Sequence, residues 1–173
     1  MKVLIVDDHQ MLRETIRRKL VTVPRISEIH EAGTVAEALS VISSNRPDVC
    51  FVDPRLPDGT GFDVYREIKA LYSGMKVVIF SAYAYDQYVR TGLRIGVDAF
   101  IFKTDPLDSV LDALEACLEG RPYFSPSVIP IASNLIAPPI LVETRARDAL
   151  RRESCRYYMP WQTTSLIRRS HNI

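Results

Sequence analysis

Five short apolar runs mark the first two thirds of the chain, and each is followed by a stretch in which apolar residues recur every three or four positions. Residues 2–6 form a continuous run of the kind expected for a strand buried on both faces. From residue 10 to about residue 21, Leu12, Ile16 and Leu20 recur at four-residue intervals and predict a helix. Residues 26–31 alternate more weakly and predict a second strand. Thr34-Val-Ala-Glu37 reads as a capping box, and Ala38, Leu39, Val41 and Ile42 carry on the helix it opens. Pro47 closes that connection before a third strand at residues 49–52. Beyond Gly59 and Gly61 a helix is expected at about 62–71, then a strand at 76–80, then a helix opened by Asp86 and stopped at Gly96. The fifth strand is residues 99–102. Asp105-Pro106-Leu107-Asp108 joins an N-cap, a proline at the first helical position and an acid two residues later. Leu107, Val110, Leu111, Leu114 and Leu118 form the stripe of that last helix, which Gly120 ends.

Five strands alternating with five helices imply right-handed crossovers and an α/β domain in three layers. The expected fold is a doubly wound five-stranded parallel sheet, in the flavodoxin-like order 2-1-3-4-5, with helices on both faces and a short C-terminal tail. The crevice of such a sheet lies beyond the carboxyl ends of its strands, between the first and the third. Asp7 and Asp8 follow the first run, Asp53 the third, Ser81 the fourth and Lys103 the fifth.

That set suits a divalent cation and a phosphoryl group. Asp7 and Asp8 would repel each other in a partly buried loop, and a hard cation removes the repulsion. Mg²⁺ takes one or two carboxylates, waters and phosphate oxygens. Asp53 is the natural nucleophile, since a carboxylate can accept a phosphoryl group as an aspartyl-phosphate. Lys103 can meet that group as a point charge, and Ser81 can donate a hydrogen bond to it. Singly, each residue has a plain structural role as a cap or a surface charge. Five polar residues at four correctly ordered strand ends point instead to chemistry.

At 173 residues the chain has room for one full domain and something small. Its 47% apolar and 25% charged content is that of a soluble globular protein. No apolar stretch approaches the roughly 18 residues of a membrane span, and nothing at the start resembles a signal peptide. A cytoplasmic location without membrane contact is expected. Cys50, Cys117 and Cys155 form no CxxC pair, and the first two are expected as buried thiols rather than redox groups. The net charge of +1 hides an asymmetry, because seven arginines against three acids lie beyond residue 124.

The segments Val3-Leu-Ile-Val-Asp-Asp-His9, Asp53-Pro-Arg-Leu-Pro-Asp-Gly-Thr-Gly61, Phe80-Ser-Ala82 and Phe100-Ile-Phe-Lys103 resemble the receiver domain of bacterial two-component response regulators (CheY-like). The resemblance covers about residues 1–124. His9 directly after the acid pair, and Gly120-Arg-Pro-Tyr-Phe-Ser-Pro-Ser127 after the last helix, are similar to the NarL/FixJ group. The resemblance implies that Asp53 accepts a phosphoryl group from a sensor histidine kinase or a small phosphodonor. It implies Mg²⁺ ligation by Asp8, Asp53 and the backbone carbonyl of Arg55, with Asp7 acting through water. It also implies that Ser81 and Lys103 contact the phosphoryl group, that Ser81 is drawn toward it, and that Phe100 then turns inward. It leaves room for a homodimer formed on phosphorylation. Thr104 stands where other receivers often have a proline, and Pro54 after the acceptor is unusual for them. Arg55 and Tyr83, each two residues past a site residue, are expected to set the lifetime of the acyl phosphate.

A regulator of the NarL/FixJ group would continue through a linker into a four-helix DNA-binding module. Residues 125–140 read as linker, with Pro130, Pro138 and Pro139, and residues 141–173 as a short basic tail. Glu143-Thr-Arg-Ala-Arg-Asp-Ala-Leu150 faintly resembles the first helix of such a module, but Cys155-Arg-Tyr-Tyr-Met-Pro-Trp-Gln-Thr-Thr lacks the apolar spacing of a second and third helix, Pro160 interrupts it, and no recognition helix is visible. A truncated or degenerate output region is the expectation, with at most weak, nonspecific contact to DNA phosphates. A stand-alone receiver acting by protein contacts or as a phosphate sink is the alternative. A phosphatase of the haloacid-dehalogenase type would want an acid where Arg55 stands, and a flavodoxin a hydroxyl-rich loop where Asp7-Asp8-His9 stands. No enzyme acting on an external substrate is expected.

Overall fold

The computed structural model describes residues 1–136. In chain order the elements are β1 (Lys2–Val6), α1 (Gln10–Leu20), β2 (Glu28–Ala32), α2 (Val35–Asn45), β3 (Val49–Val52), β4 (Arg55–Leu56), β5 (Gly59–Thr60) and α3 (Gly61–Leu71). They continue as β6 (Lys76–Ser81), α4 (Asp86–Ile95), β7 (Ala99–Phe102), α5 (Asp108–Leu118), β8 (Tyr123–Phe124) and α6 (Ile129–Ile136). The main sheet runs β2-β1-β3-β6-β7-β8, parallel throughout. The first five of these are the expected strands in the expected order.

The sixth strand corrects the expected count of five. After α5 the chain turns through Gly120, at a φ of 71° that glycine adopts without steric cost. Tyr123 N–H then bonds Asp98 O at 3.1 Å, and Ser125 N–H bonds Phe100 O at 3.1 Å. Two residues carry no periodicity, so a strand this short leaves no signal in the pattern. The hairpin of β4 and β5, two residues each, is invisible in the sequence for the same reason.

Alternation along the central strands builds two cores, because successive side chains point to opposite faces. Leu4, Val6, Cys50, Val52, Val77, Ile79 and Phe100 pack with residues of α2, α3 and α4. Val3, Ile5, Val49, Phe51, Val78, Phe80 and Ile101 pack with residues of α1 and α5. Each fully buried Val, Leu, Ile or Phe side chain contributes roughly 1.5–3 kcal/mol relative to exposure. Cys50 and Cys117 are buried free thiols, as expected, and burial pushes the Cys117 thiol up to about 12. Cys155 lies outside the described residues.

Helix entries show where local chemistry departs from expectation. Thr34 accepts the Glu37 N–H at 3.1 Å, but the Glu37 carboxylate takes Gly33 N–H instead of closing the box. The complete capping box is at α3, where Thr60 and Asp63 satisfy each other's backbone N–H groups. Asp86 does not cap α4; Tyr85 occupies that position. Asp105 lies three residues before the first residue of α5, and its carboxylate turns back to the Phe102 N–H. The stretch 125–140, read as linker, carries α6, with Val128 and Ala132 buried in the same core as Phe100. Pro130 sits at the second position of α6, where its missing N–H has no partner to lose. The expected basic tail, residues 141–173, lies outside the described residues. Among the described residues no helix is long and apolar enough to cross a membrane.

Candidate functional site

The carboxyl ends of β1, β3, β6 and β7 lie at one edge of the sheet, and the hydrogen-bond ladder runs one residue beyond three of them. Asp7 N–H bonds Ala32 O at 3.0 Å, Asp53 N–H bonds Val6 O at 2.9 Å, and Lys103 N–H bonds Ser81 O at 2.7 Å. These bonds fix the backbone of the polar residues that follow the apolar runs. Asp7 is only 1% exposed, Asp53 6% and Ser81 not at all.

Lys103 brings the buried acids together. Its ammonium donates to Asp53 Oδ2 and lies 2.5 Å from Asp7 Oδ2. The second contact is an ion pair without hydrogen-bond geometry, so Asp7 Oδ2 is the one buried side-chain polar atom without a hydrogen-bond partner among the described residues. Asp53 Oδ1 accepts Arg55 N–H at 2.8 Å. Burial pushes the Asp53 carboxyl above its usual range; Lys103 and the Arg55 N–H pull against it, and the charge of Asp7 adds to the rise. Two buried carboxylates share one ammonium, and Asp8 adds a third negative charge at 40% exposure.

The expected cation ligands are only partly gathered. Asp7, Asp8 and His9 offer ligand atoms within 4.8 Å of one another. His9 Nδ1 lies 2.7 Å from Asp8 Oδ1 and 3.3 Å from Asp7 Oδ1, and its backbone N–H bonds Asp7 Oδ1 at 2.9 Å. Asp53 stands outside that group, against Lys103. An open cavity of about 420 Å³ nevertheless joins Asp8, His9, Asp53, Arg55, Ala82 and Tyr83. Excess negative charge, an orphaned carboxylate oxygen and hard oxygen donors fit Mg²⁺. Beyond following the acid pair, His9 gave no sign in the sequence that it would sit among these ligands.

Of the two switch candidates, only Phe100 departs from the expected order. Ser81 is engaged with the loop that follows it: its hydroxyl donates to Tyr83 O at 3.0 Å and accepts Tyr83 N–H at 3.2 Å. Phe100 is already fully buried, edge-on to Phe102 at 5.7 Å. Gly92 of α4 makes room for it, since a Cβ there would lie 3.0 Å from the Phe100 ring. At the pocket mouth the Arg55 guanidinium covers the Tyr83 ring at 5.1 Å, and Tyr83 stacks on Tyr85 at 5.1 Å. The two residues expected to modulate the site are thus in contact with each other.

Residues 3–115 match the model of the response regulator receiver domain. The response regulator protein VraR of Staphylococcus epidermidis is 33% identical over 128 residues, which are 74% of this chain and 61% of that protein. The chain therefore spans less than two thirds of the length of this relative. A LuxR-family two-component response regulator from Aurantimonas sp. SI85-9A1 aligns with a TM-score of 0.72 and 25% identity, covering 77% of this chain and 95% of the other. The isolated REC domain of RcsB from Salmonella enterica serovar Typhimurium, solved with phosphomimetic BeF3-, aligns with a TM-score of 0.71 over 76% and 97% of the two chains. At 19% identity that likeness is one of fold. A match running from the first strand into α5 and spanning more than half of the chain, with response regulators alike in sequence and in fold, means that this chain belongs to the response regulator receiver family.

Proposed function

We propose that Asp53 is the residue through which this two-component response regulator takes its phosphoryl group from a sensor histidine kinase. The observation that carries the reading is the setting of Asp53: nearly buried, held by Lys103 and the Arg55 N–H, and lining an open cavity shared with Asp8. A carboxylate oxygen of Asp53 attacks phosphorus, the P–N bond to the donor imidazole breaks, and that nitrogen keeps the bonding pair. The product is a mixed anhydride on Asp53. Asp8, Asp53 and the Arg55 carbonyl would hold Mg²⁺, with Asp7 acting through water. When bound, the cation neutralises charge on carboxylate and phosphoryl oxygens.

Lys103 stays near Asp53 and meets one phosphoryl oxygen as a point charge. Ser81 exchanges its bonds to Tyr83 for a bond to another. The mark brings about −1.5 to −2 charges into a pocket already negative, so the two states of the loop after β6 shift in population. Arg55 and Tyr83 stand at the mouth and limit the approach of water to the anhydride. The chain turns over no external substrate beyond removal of its own phosphoryl group. We place it in the cytoplasm, pairing as a homodimer once phosphorylated, with a family role in transcription and weak DNA contact of its own. The second reading, a receiver signalling by protein contact alone, predicts no gel shift on promoter DNA with or without beryllofluoride.

Mass measurement after incubation with acetyl phosphate and Mg²⁺ tests the central step. One added phosphoryl group is expected on the parent and none on Asp53→Asn. An equal gain on both would remove Asp53 from the role.

A further inference from the structure

We infer that Asp105 is a positioning residue, which holds Lys103 in the pocket and ties Lys103's turn to helix α6. The inference deepens the reading of Lys103 as a phosphoryl contact and rests on it.

Lysine is a point charge on a flexible four-carbon stem. To hold it against two buried carboxylates, the backbone at its root must be fixed. One side is fixed by the sheet, where Lys103 N–H bonds Ser81 O at 2.7 Å. Asp105 fixes the other. Its N–H donates to Phe102 O at 3.0 Å, and its Oδ2 accepts Phe102 N–H at 2.8 Å. Both polar groups of the residue before Lys103 are thus engaged by one aspartate, which closes the turn around Lys103 and Thr104. Removing the carboxylate would leave a partly buried N–H without a partner.

The second carboxylate oxygen of Asp105 faces another element. Oδ1 accepts the Ser127 hydroxyl. Ser127 stands at the root of α6, where Val128 and Ile129 donate to Ser125 O at 2.9 and 3.1 Å. Ser125 is fully buried, and its own N–H bonds Phe100 O at 3.1 Å. Val128 and Ala132 then enter the core that holds Phe100 and Phe102. One side chain therefore touches the Lys103 turn and the start of α6. When Lys103 shifts from its shared place between Asp7 and Asp53 toward a phosphoryl group, the turn moves with it, and the Asp105–Ser127 bond carries that movement to α6.

The test uses the full chain in four forms: parent, Asp105→Ala, Asp105→Asn and Ser127→Ala. Two measurements are made on each, the rate of phosphorylation by acetyl phosphate with Mg²⁺, and amide hydrogen exchange with and without beryllofluoride. Asp105→Ala should phosphorylate about tenfold more slowly, since small misplacements of a charge-bearing group cost that much or more. Its Phe102 amide should exchange at least about tenfold faster even without phosphodonor. Asp105→Asn keeps a carbonyl oxygen for Phe102 N–H and should recover the rate to within about threefold of the parent. Ser127→Ala should phosphorylate within about twofold of the parent, because the Phe102 bonds remain. It should nevertheless lose the beryllofluoride-dependent change at the Ile129 and Ala132 amides.

A merely structural Asp105 would lower the melting temperature of Asp105→Ala yet leave its phosphorylation rate at the parent's value while folded, and that result overturns the proposal. So does a Ser127→Ala protein whose α6 amides respond as the parent's do. If the parent itself takes no phosphoryl group, the phosphoacceptor reading fails, and the Phe102 exchange of unmodified Asp105→Ala still decides whether Asp105 holds the turn.

Discussion

Gly61, the first residue of α3, sits where the backbone of Asp53 comes close to that helix. A methyl group on its Cα would lie 2.3 Å from the Asp53 carbonyl oxygen, 2.8 Å from Val52 Cγ2 and 3.0 Å from the Asp53 carbonyl carbon. Ordinary contact begins at 3.4 Å, so the nearest atom would have to move by roughly 1 Å. That atom is backbone, tied in place because Gly61 N–H bonds Pro54 O at 3.2 Å and Asp53 N–H bonds Val6 O. The φ of Gly61 is not in the left-handed region, so the whole penalty is one of space. Forcing an extra methyl into a filled site costs about 1–3 kcal/mol, and relief of glycine's entropy returns roughly 0.5–1 kcal/mol. Gly61→Ala should therefore lose about 1 kcal/mol, the difference between the middle values of the two, read as a lower urea midpoint at unchanged slope. Because the displaced atoms belong to Asp53, its phosphorylation by acetyl phosphate should also slow about tenfold at temperatures where both proteins are folded. An unchanged or raised midpoint, which an unobstructed glycine in a helix would give, together with a parental phosphorylation rate, would refute the account of the close approach.

Two carboxylates should move stability in opposite directions. Burial holds the Asp53 carboxyl above its usual range, so its ionised form opposes folding at neutral pH. Asp53→Asn should therefore melt higher than the parent at neutral pH, and the gap should close as the pH falls through the raised Asp53 value; a lower-melting Asn variant contradicts this. Asp98 is the reverse case: burial pushes its carboxyl up, but hydrogen bonds from Val77 N–H, Lys69 and Lys76 outweigh it and hold the carboxyl low. Its contribution is present above the ordinary carboxylate range and is lost as the pH falls through the lowered value. Asp98→Ala should lose about 1–3 kcal/mol near pH 7 in chemical denaturation and show a flatter acid limb than the parent, and equal limbs would exclude Asp98 as the source. Arg55→Ala and Tyr83→Ala break the same contact at the pocket mouth, so each should change the half-life of phosphorylated protein, and unchanged decay in both would separate that contact from the lifetime.

Periodicity made the layers legible, because a strand buried on both faces and a helix with one wet face leave different spacings. The polar residues after each run were legible for a related reason, since acids, a lysine and a hydroxyl have no apolar role at four buried strand ends. What stayed hidden was set by distance across the fold. Tyr123 and Phe124 become a strand only because Asp98 and Phe100 offer carbonyls to the stretch they begin. The segment Ile129–Ile136 becomes a helix over a core whose open edge no local pattern reveals, and Pro130, with Pro138 and Pro139 further on in the sequence, suggested a linker. Asp105 read as a helix cap because Pro106 follows it, whereas its carboxylate is taken by Phe102, three residues back. His9 entered the acid cluster through the turn after β1, which brings its ring onto Asp8.

The switch itself shows why residue types alone were insufficient. The expected order has Ser81 moving toward the phosphoryl group and thereby opening space for Phe100. In the structure Phe100 is inside while Ser81 bonds Tyr83, so burial of the ring does not require Ser81 to have moved. We take Gly92 as the reason for the separation: a Cβ there would lie 3.0 Å from the ring, so its absence leaves the ring room. On the proposed reading of Ser81 as a phosphoryl contact, the barrier to activation would lie in the loop after β6. Moving Ser81 gives up two hydrogen bonds with the Tyr83 backbone, roughly 0.5–1.5 kcal/mol each. Disturbing Tyr83 also strains its contacts with Arg55 and Tyr85, at about 0.5–1 kcal/mol for an exposed cation–π pair. The phosphoryl group must favour the turned state by more than that sum to populate it. Gly92→Ala should therefore impair the packing of Phe100 and destabilise the fold, while leaving the beryllofluoride-induced movement of the Ser81 amide signal in NMR spectra intact. A loss of that movement together with the packing would restore the coupled order and remove Gly92 as the reason for the separation.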